Sequence, residues 1–516
     1  MGTASLMSTH KPSFAVFDAQ AKIAPRALVY RTLSGDGLTP VSAFHRIATP
    51  NASFLFESVI GGEKVGRYSF VGADPFLRFE ARGDTITVAP YNDASPAQTY
   101  QNQDPLSELQ KLLDRHRSAQ THNLPRFAGG GAVGYAAYDS VRYSEKLPNI
   151  PHDDRGLPDL RFTLHDRMVV FDHIRKVILV TATASVDEAA SVNDAYHTAC
   201  NRVDDLVDRL ARPGAEIPPV DLEFDAPVTL KPLCNFSAEE FEDVVRRCQE
   251  YIKAGDVFQV VPSRRFEVET HADAFSIYRA LRVVNPSPFL FYLGYNDFQL
   301  IGSSPEILVR VEDRTVTIRP LAGTRRRGRD EAEDRALAAE LLDDPKERAE
   351  HIMLVDLGRN DVGKVSEPAT VALTDLMTVE RYSHVMHISS NVTGTLKEGT
   401  TALDALRAGL PAGTVSGAPK VRAMEIIDEV ENRKRGPYAG AVGYIDFTGN
   451  MDTCIALRTI VKQGNKAHVQ AGAGIVYDSV PAVEAEETVA KARGVLKAIE
   501  IAEKSFAAHD STDSKR

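Results

Sequence analysis

Apolar residues recur with helical spacing over Ser237–Ala254 and Asp344–Leu357, and both stretches read as amphipathic helices. Pro105–His116 and Ser191–Leu210 carry helix-like patterns upstream. Short alternating stretches, Phe54–Ser58 and Met168–Phe171, predict strands. Further on, Thr453–Val461 and Lys466–Gln470 predict a hairpin joined across Gln463-Gly464-Asn465. Strands and helices mix without regular alternation, which favours an α+β class over a doubly wound parallel sheet. The expected architecture is a two-lobed mixed body with largely antiparallel sheets flanked by helices. Between Ala211 and Pro232 the helical period stops and five prolines follow (Pro213, Pro218, Pro219, Pro227, Pro232), so 211–232 reads as a linker or crossover. It separates an N-terminal lobe at 25–210 from a larger region at 233–503. The polar ends, 1–24 and 504–516, read as frayed segments.

Composition narrows the class. The chain has 516 residues, 43% hydrophobic and 25% charged, which is ordinary for a soluble globular protein. A net charge of −11 argues against nucleic acid or an anionic membrane surface as the main partner. No apolar run reaches the roughly 18 residues of a membrane span, and the opening MGTASLMSTHK lacks the apolar core of a secretory signal. Cys200, Cys234, Cys248 and Cys454 are scattered, as expected of reduced packing residues in a cytoplasmic protein.

Gly129–Gly134 fits the GxGxxG dinucleotide pattern, but its context does not. The residues before it make a poor strand, and those after run into Pro148 and Pro151. A glycine turn with close backbone packing is the better reading. Two acidic helices hold more promise. Glu347 and Glu350 share one face of the first; Glu484, Glu487 and Lys491 share one face of the second. Like charges on one face repel, which suits a cation or proton transfer, although a solvated helix face has the same spacing. Mg²⁺ usually takes one or two protein carboxylates, so one acid from each helix would serve it.

Ala412–Lys420 places small and hydroxyl-bearing residues before an apparent helix running to about Glu431, with Pro419 near its first turn. In the expected hairpin, Cys454, Ala456 and Arg458 would share a face, where Arg458 could offer its planar fork to a carboxylate or be a plain surface arginine. Gly472-Ala473-Gly474 ends the following strand and permits close backbone approach. His384 and His387 lie three apart without a zinc-protease setting.

Together these segments resemble the chorismate-utilising enzymes, which include anthranilate, aminodeoxychorismate, isochorismate and salicylate synthases. The resemblance covers about Ser237 to Ile501. It is carried by KERAEHIMLVDLGRND at Lys346–Asp361, RYSHVMH at Arg381–His387, GTVSGAPKVRAM at Gly413–Met424, and Glu484–Lys491. A weaker resemblance lies in Leu55–Ser58, Gly66–Gly72 and Gly130–Asp139. It implies Mg²⁺ on Glu350 and Glu487 with Glu347 and Glu484 in support. It also implies chorismate carboxylates on Tyr438, Arg458 and the Gly472–Gly474 backbone, with Lys491 alongside. Glu306 matches an acid that protonates the departing C4 hydroxyl, and His387 and Thr414 match pocket positions tied to the ring chemistry.

Two positions indicate the branch of the family. Members that add water resemble one another in a basic lysine where this chain has Gln259, and a glutamine cannot act as that base. Aminodeoxychorismate synthases that capture chorismate covalently carry a lysine in a PIKGT string, where this chain reads Pro320-Leu321-Ala322-Gly323-Thr324. The resemblance therefore points to the anthranilate synthase branch, with amination at C2 followed by pyruvate elimination. It further implies a separate glutamine amidotransferase subunit supplying ammonia, since no glutaminase cysteine setting occurs here. Feedback by L-tryptophan is the last implication, through Glu57 and Ser58 of one string and Pro288, Phe289 and Leu290 of another.

Overall fold

In the computed structural model, the described residues are 9–50, 52–58, 66–91, 95–121, 123–212, 217, 220–382 and 385–506. His384, Pro213, Pro218, Pro219 and, of the ends expected to be frayed (1–24 and 504–516), residues 1–8 and 507–516 lie outside them; within 1–24 the expectation is corrected, because Phe14–Ala21 is a helix whose Phe17 is buried in the core. Strands form two large sheets of eleven and twelve strands, and all strand pairings among the described residues run antiparallel.

Side-chain alternation explains how the sheets stack. In the strand Phe289–Tyr295 of the first sheet, Leu290 and Tyr292 point to one buried cluster, while Phe291, Leu293 and Tyr295 point to another. In the strand Gly131–Ala136 of the second sheet, Val133 and Tyr135 join that same shared cluster, and Ala132 and Ala136 face away into a third. The shared cluster is therefore the layer between the sheets. Helices Pro40–Ile47, Val192–Ala211, Ala274–Val284 and Pro481–Ile501 cover the outer face of the first sheet. Helices Pro105–Arg115, Ala238–Ala254, Ala402–Gly409 and Lys420–Val430 contribute to the cluster outside the second. The result is four layers, helix–sheet–sheet–helix, with the central strands of both sheets buried on both faces and the outer strands of the second sheet, such as Gln98–Gln101 and Ala372–Arg381, exposed.

Both sheets draw strands from before and after the Pro-rich segment. Ala52–Glu57 pairs with Phe289–Tyr295 in the first, and Gly131–Ala136 pairs with Ala441–Asp446 in the second. Of the 211–232 segment, Ala211 ends the helix Val192–Ala211, and 220–232 carries no helix or strand and lies on the helix Pro481–Ile501, where Glu500 accepts from the Thr229 backbone N–H and Lys497 donates to the Ala226 carbonyl.

The helices expected at 105–116, 191–210 and 237–254 form, each with a capping side chain: Asp104, Ser191 and Ser237, the last in a reciprocal box with Glu240. The helix that starts after Asp344 runs to Val365, past the expected Leu357, because Gly358, Val362 and Val365 continue its buried stripe. The hairpin expectation needs correction. Thr453–Val461 is not one strand: Met451–Ile455 belongs to the second sheet and Thr459–Gln463 to the first. The chain turns at Arg458, whose φ is 47°, so Cys454, Ala456 and Arg458 do not share a strand face. The turn at Gly464 (φ 56°) does join Thr459–Gln463 to Lys466–Gly472.

The GxGxxG glycines precede and enter a strand, the reverse of a dinucleotide loop. A Cβ at Gly134 would meet the Arg161 carbonyl oxygen, and one at Gly131 the Ile445 carbonyl oxygen, so both serve close strand packing.

Candidate active site

Two links pass from one sheet to the other, side by side. Ser304 ends a strand of the first sheet and Ile307 begins one of the second; Ile455 ends a strand of the second and Thr459 begins one of the first. The links are tied by Ile455 N–H to Glu306 O at 3.0 Å and by Ser303 N–H to Arg458 O at 3.3 Å. Leaving a sheet frees a residue from the alternating pattern, so Glu306 and Arg458 are aimed by these links and not by a strand face.

Glu306 is 6% exposed, and burial pushes its carboxyl up to about 8. The Thr414 hydroxyl donates to Oε1 at 3.0 Å, and the Leu321 backbone N–H also bonds the carboxyl, both opposing that rise. Burial prevails, leaving a carboxylic acid that holds its proton at neutral pH. Arg458 forms no ion pair among the described residues, and burial lowers its pKa. A guanidinium stays charged regardless, so a partly buried fork without a carboxylate is a ready anion site. Tyr382 senses the charges of Arg319, Glu306 and Arg458, and its ring lies 5.5 Å from that of His387, so these groups border one space.

His387 sits opposite a bulge in the strand Leu321–Arg326. Gly323 adopts φ 66° there, and its carbonyl lies 2.9 Å from His387 Nδ1, with Thr324 Oγ1 at 3.1 Å. A carbonyl only accepts, so Nδ1 carries the hydrogen and Nε2 keeps its lone pair. Burial, with Arg458 adding, lowers the His387 pKa and keeps the ring neutral. A side chain at Gly323 would also crowd Glu347, its Cβ lying 3.0 Å from Oε2. Ala322 is buried in the same strand and brings no amine.

The two acidic helices, Pro345–Val365 and Pro481–Ile501, meet the site at their first turns. Each carboxylate there has an outer partner. Arg325 Nη1 donates to Glu347 at 2.9 Å, Gln259 Nε2 to Glu350 at 2.9 Å, and Lys491 Nζ to Glu487 at 2.6 Å. Glu484 is raised by burial, with the Glu487 charge adding, and Ser479 and Lys346 opposing. Lys346, on the first helix, also pairs with Asp478 at 3.2 Å just before the second, which ties the two helix starts together. Among the described residues no three carboxylate, imidazole or thiol groups converge on one point, so an ion here would have at most two such protein ligands.

The floor between these helices is backbone. Lys491 Nζ donates to Gly472 O at 3.0 Å, and the Gly472 N–H bonds the Tyr438 hydroxyl. A Cβ at Gly472 would lie 2.9 Å from that hydroxyl, and one at Gly474 would lie 2.9 Å from Gln259 Nε2. Ala473 between them is fully buried. Gln259 belongs to a short ladder with Gly417-Ala418, just past Thr414, and leads into the helix Lys420–Val430. The contacts fall into two groups: Glu306 with Thr414, and Tyr382 with His387 and the Glu306 and Arg458 side chains, on one hand; Gln259 with Glu350 and Gly474, and Lys491 with Glu487 and with Gly472, which bonds Tyr438, on the other.

The feedback residues lie elsewhere, on neighbouring strands where Glu57 is opposite Leu290. Glu57 is buried and already accepts from the Tyr278 hydroxyl at 2.6 Å and from Arg282 at 3.0 and 3.1 Å. Ser58 Oγ is buried without a partner among the described residues, and Pro288 is buried while Phe289 is half-buried.

Sequence reasoning missed the supports. Arg325, in the run Arg325-Arg326-Arg327, clamps Glu340, Asp344 and Glu347. Arg435, fully buried, pairs with Glu431 at 2.5 Å, donates to Val261 O and Val415 O, and lies over the Tyr438 ring. Glu431 caps the helix Lys420–Val430 and Arg435 lies beyond its end, so no helical spacing announced the pair.

The chain belongs to the family of chorismate binding enzymes, whose model matches residues 54–497. Its relatives include anthranilate synthase component 1 of Acetivibrio thermocellus, 48% identical over 90% of this chain and 93% of that one. The same component of Pseudomonas putida is 48% identical over 91% and 94%. The crystal structure of anthranilate synthase component I from Streptococcus pneumoniae TIGR4 matches with a TM-score of 0.74 at 38% identity, over 90% of this chain and 98% of that chain. A menaquinone-specific isochorismate synthase of Escherichia coli, 19% identical with a TM-score of 0.68 over 92% and 95%, shares the fold. Among the described residues, no helix is long and apolar enough to cross a membrane.

Proposed function

We propose that this chain is the chorismate-aminating component of an anthranilate synthase, acting with Mg²⁺ and ammonia. The observation that carries the reading is the pairing of a neutral buried acid, Glu306, with a lone guanidinium, Arg458, on adjacent links. Chorismate is a dianion with a poor leaving group at C4. Arg458, Tyr438 and the Gly472–Gly474 backbone bind its carboxylates, and Lys491 adds positive charge. The Glu306 proton goes to the C4 hydroxyl, which departs as water while ammonia bonds C2. Loss of the C2 proton and of the enolpyruvyl group, which takes up a proton as pyruvate, then gives anthranilate. His387, neutral with Nε2 free, suits proton movement on the ring.

The carboxylate pairs fit Mg²⁺, which keeps water and substrate oxygens in its octahedron and needs only one or two acids. Glu350 and Glu487 would hold it, with Glu347 and Glu484 beside them. Bound there, it supplies positive charge to the substrate carboxylate and the leaving group. Arg325 and Gln259 orient Glu347 and Glu350 for that task.

Ammonia comes from a glutamine amidotransferase subunit, and L-tryptophan inhibits through Glu57, Ser58, Pro288, Phe289 and Leu290. Both follow from the resemblance, and the pairing of Glu57 with Leu290 on adjacent strands supports the second. Partner dependence is the test. The isolated chain should use ammonium but not glutamine, and should gain glutamine use on adding the amidotransferase. Equal use of glutamine by the chain alone would contradict the reading.

A further inference from the structure

Arg435 is 2% exposed, and its guanidinium divides its N–H bonds among three parts of the chain. Nε and Nη2 donate to the Glu431 carboxylate at 3.0 and 2.5 Å, which fixes the plane of the fork. Nη1 then reaches the Val415 carbonyl at 2.7 Å, and Nη2 the Val261 carbonyl at 2.6 Å. Neither carbonyl belongs to a strand or an α-helix. Val415 closes the short turn Gly413–Val415, and Val261 lies between the strands Gln259–Val260 and Ser263–Glu269. Irregular backbone has no ladder to set its spacing, so here a planar guanidinium sets it. The Tyr438 ring lies 5.6 Å from the same guanidinium, with Tyr138 at 4.6 Å.

These contacts lead to groups that the reaction uses. Val415 follows Thr414, whose hydroxyl bonds Glu306 at 3.0 Å. Glu431 accepts from the N–H and the hydroxyl of Ser263 at 2.8 Å each, and Ser263 is opposite Gly472 on the next strand. Gly472 in turn bonds the Tyr438 hydroxyl. One buried pair therefore meets the acid side through Val415 and the carboxylate-binding side through Ser263 and Tyr438. The pair is itself anchored. Arg155 Nη2 donates to the Arg435 carbonyl at 2.8 Å, and the Gly436 N–H donates to Asp139 at 2.9 Å.

We propose that Arg435 is a positioning residue for amination, holding the Glu306–Thr414 acid and the Tyr438–Gly472 contacts at a fixed spacing. The proposal rests on the reading of the chain as a chorismate-aminating enzyme. Chorismate carries its ring carboxylate and its C4 hydroxyl at opposite ends of one ring. Carboxylate binding and proton delivery therefore succeed together only when the spacing matches. A rigid fork bonded to separate segments suits that task, and a lysine, with one point charge on a flexible stem, does not. Arg435 moves no proton; buried as it is, it acts through Thr414 and Tyr438.

The test uses two variants that leave no buried carboxylate unpaired. Arg435→Lys keeps a cation beside Glu431 but cannot span both carbonyls, and Glu431→Gln/Arg435→Met removes both charges together. Denaturant curves give the folded fraction of each at the assay temperature. Then kcat and KM for chorismate are measured against pH at fixed free ammonia. Displacement of the two contacts should raise KM and lower kcat, with kcat/KM per folded chain falling roughly tenfold to a hundredfold. The alkaline limb should also move up from about pH 8, as in Thr414→Val. The Thr414 hydroxyl favours ionised Glu306, so misplacing it raises that carboxyl further. Among the described residues Arg435 makes no hydrogen bond or ion pair with Leu321, Tyr382 or Arg458, the other groups around Glu306. Losses that only track the folded fraction, with KM and the limb unmoved, would make the pair purely structural and overturn the proposal. A shift in KM alone or in the limb alone would overturn it too, because the spacing would not be shared. An unmodified chain that forms no anthranilate overturns the parent reading instead, a distinguishable result.

Discussion

The Thr414 hydroxyl donates a 3.0 Å hydrogen bond to Glu306 Oε1, yet the carboxyl it touches still sits at about 8 because burial outweighs that bond. The acid is therefore neutral and ready to give a proton under conditions where an ordinary glutamate has long lost its own. At fixed free ammonia, kcat/KM for chorismate should be flat below about pH 8 and fall about tenfold per unit above it, as Glu306 ionises. Glu306→Gln should cost amination roughly 10²–10⁴-fold. It should also remove a stability effect: a carboxyl raised from 4.5 to about 8 favours the folded state fully below 4.5, and that contribution is lost as pH rises through about 8. Urea titrations at pH 6 and 9 read the second effect, and a profile without the alkaline fall would count against Glu306 as the acid.

Arg458 depends on its geometry as well as its charge. Arg458→Lys keeps a cation but loses the planar fork, so KM for chorismate should rise at least tenfold, nearly as far as in Arg458→Ala. Full retention in the lysine variant would show that a point charge suffices.

Metal dependence follows from the acidic helices. EDTA should abolish turnover and added Mg²⁺ restore it. Glu350→Gln and Glu487→Gln should each raise the Mg²⁺ concentration needed for half-maximal rate by roughly tenfold to a hundredfold, by analogy with the loss of groups that hold a metal. Isothermal titration of Mg²⁺ in the presence of chorismate reads this directly, and unaltered binding in both variants would remove these residues as ligands.

The buried pair of Arg435 with Glu431 should be costly to break. Arg435→Met leaves Glu431 charged and buried, which destabilises by about 3–5 kcal/mol. Denaturant unfolding measures it, and a change within experimental error would show that solvent reaches Glu431.

Tryptophan inhibition, where present, should vanish in Ser58→Phe while basal turnover persists, because the bulk lands beside Glu57, with the strand Phe289–Tyr295 between it and the link that carries Glu306. Inhibition curves of the two proteins decide it; identical curves would place the inhibitor elsewhere.

Much of this was legible in the sequence because it is local. Ser237 with Glu240 announces a helix start, and glutamates three apart lie on one face whatever packs around them. The interleaving of both sheets across residues 211–232 was not legible, since strand partners far apart in sequence leave no local trace. Arg458 shows the limit most clearly. Alternation through Cys454 and Ala456 suggested a strand face, but the chain changes sheets there, and a φ of 47° reverses its direction. Hydrophobic alternation is the same in one buried strand as in two, so the break could not be seen. The Glu306 environment was equally hidden, because an acid's burial depends on the other sheet.

The most direct measurement is turnover by the purified chain with chorismate, Mg²⁺ and ammonium at mildly alkaline pH, followed by product fluorescence and chromatography. The expected result is anthranilate with an equal amount of pyruvate, stopped by EDTA. Aminodeoxychorismate without pyruvate, or no product at all, would contradict it.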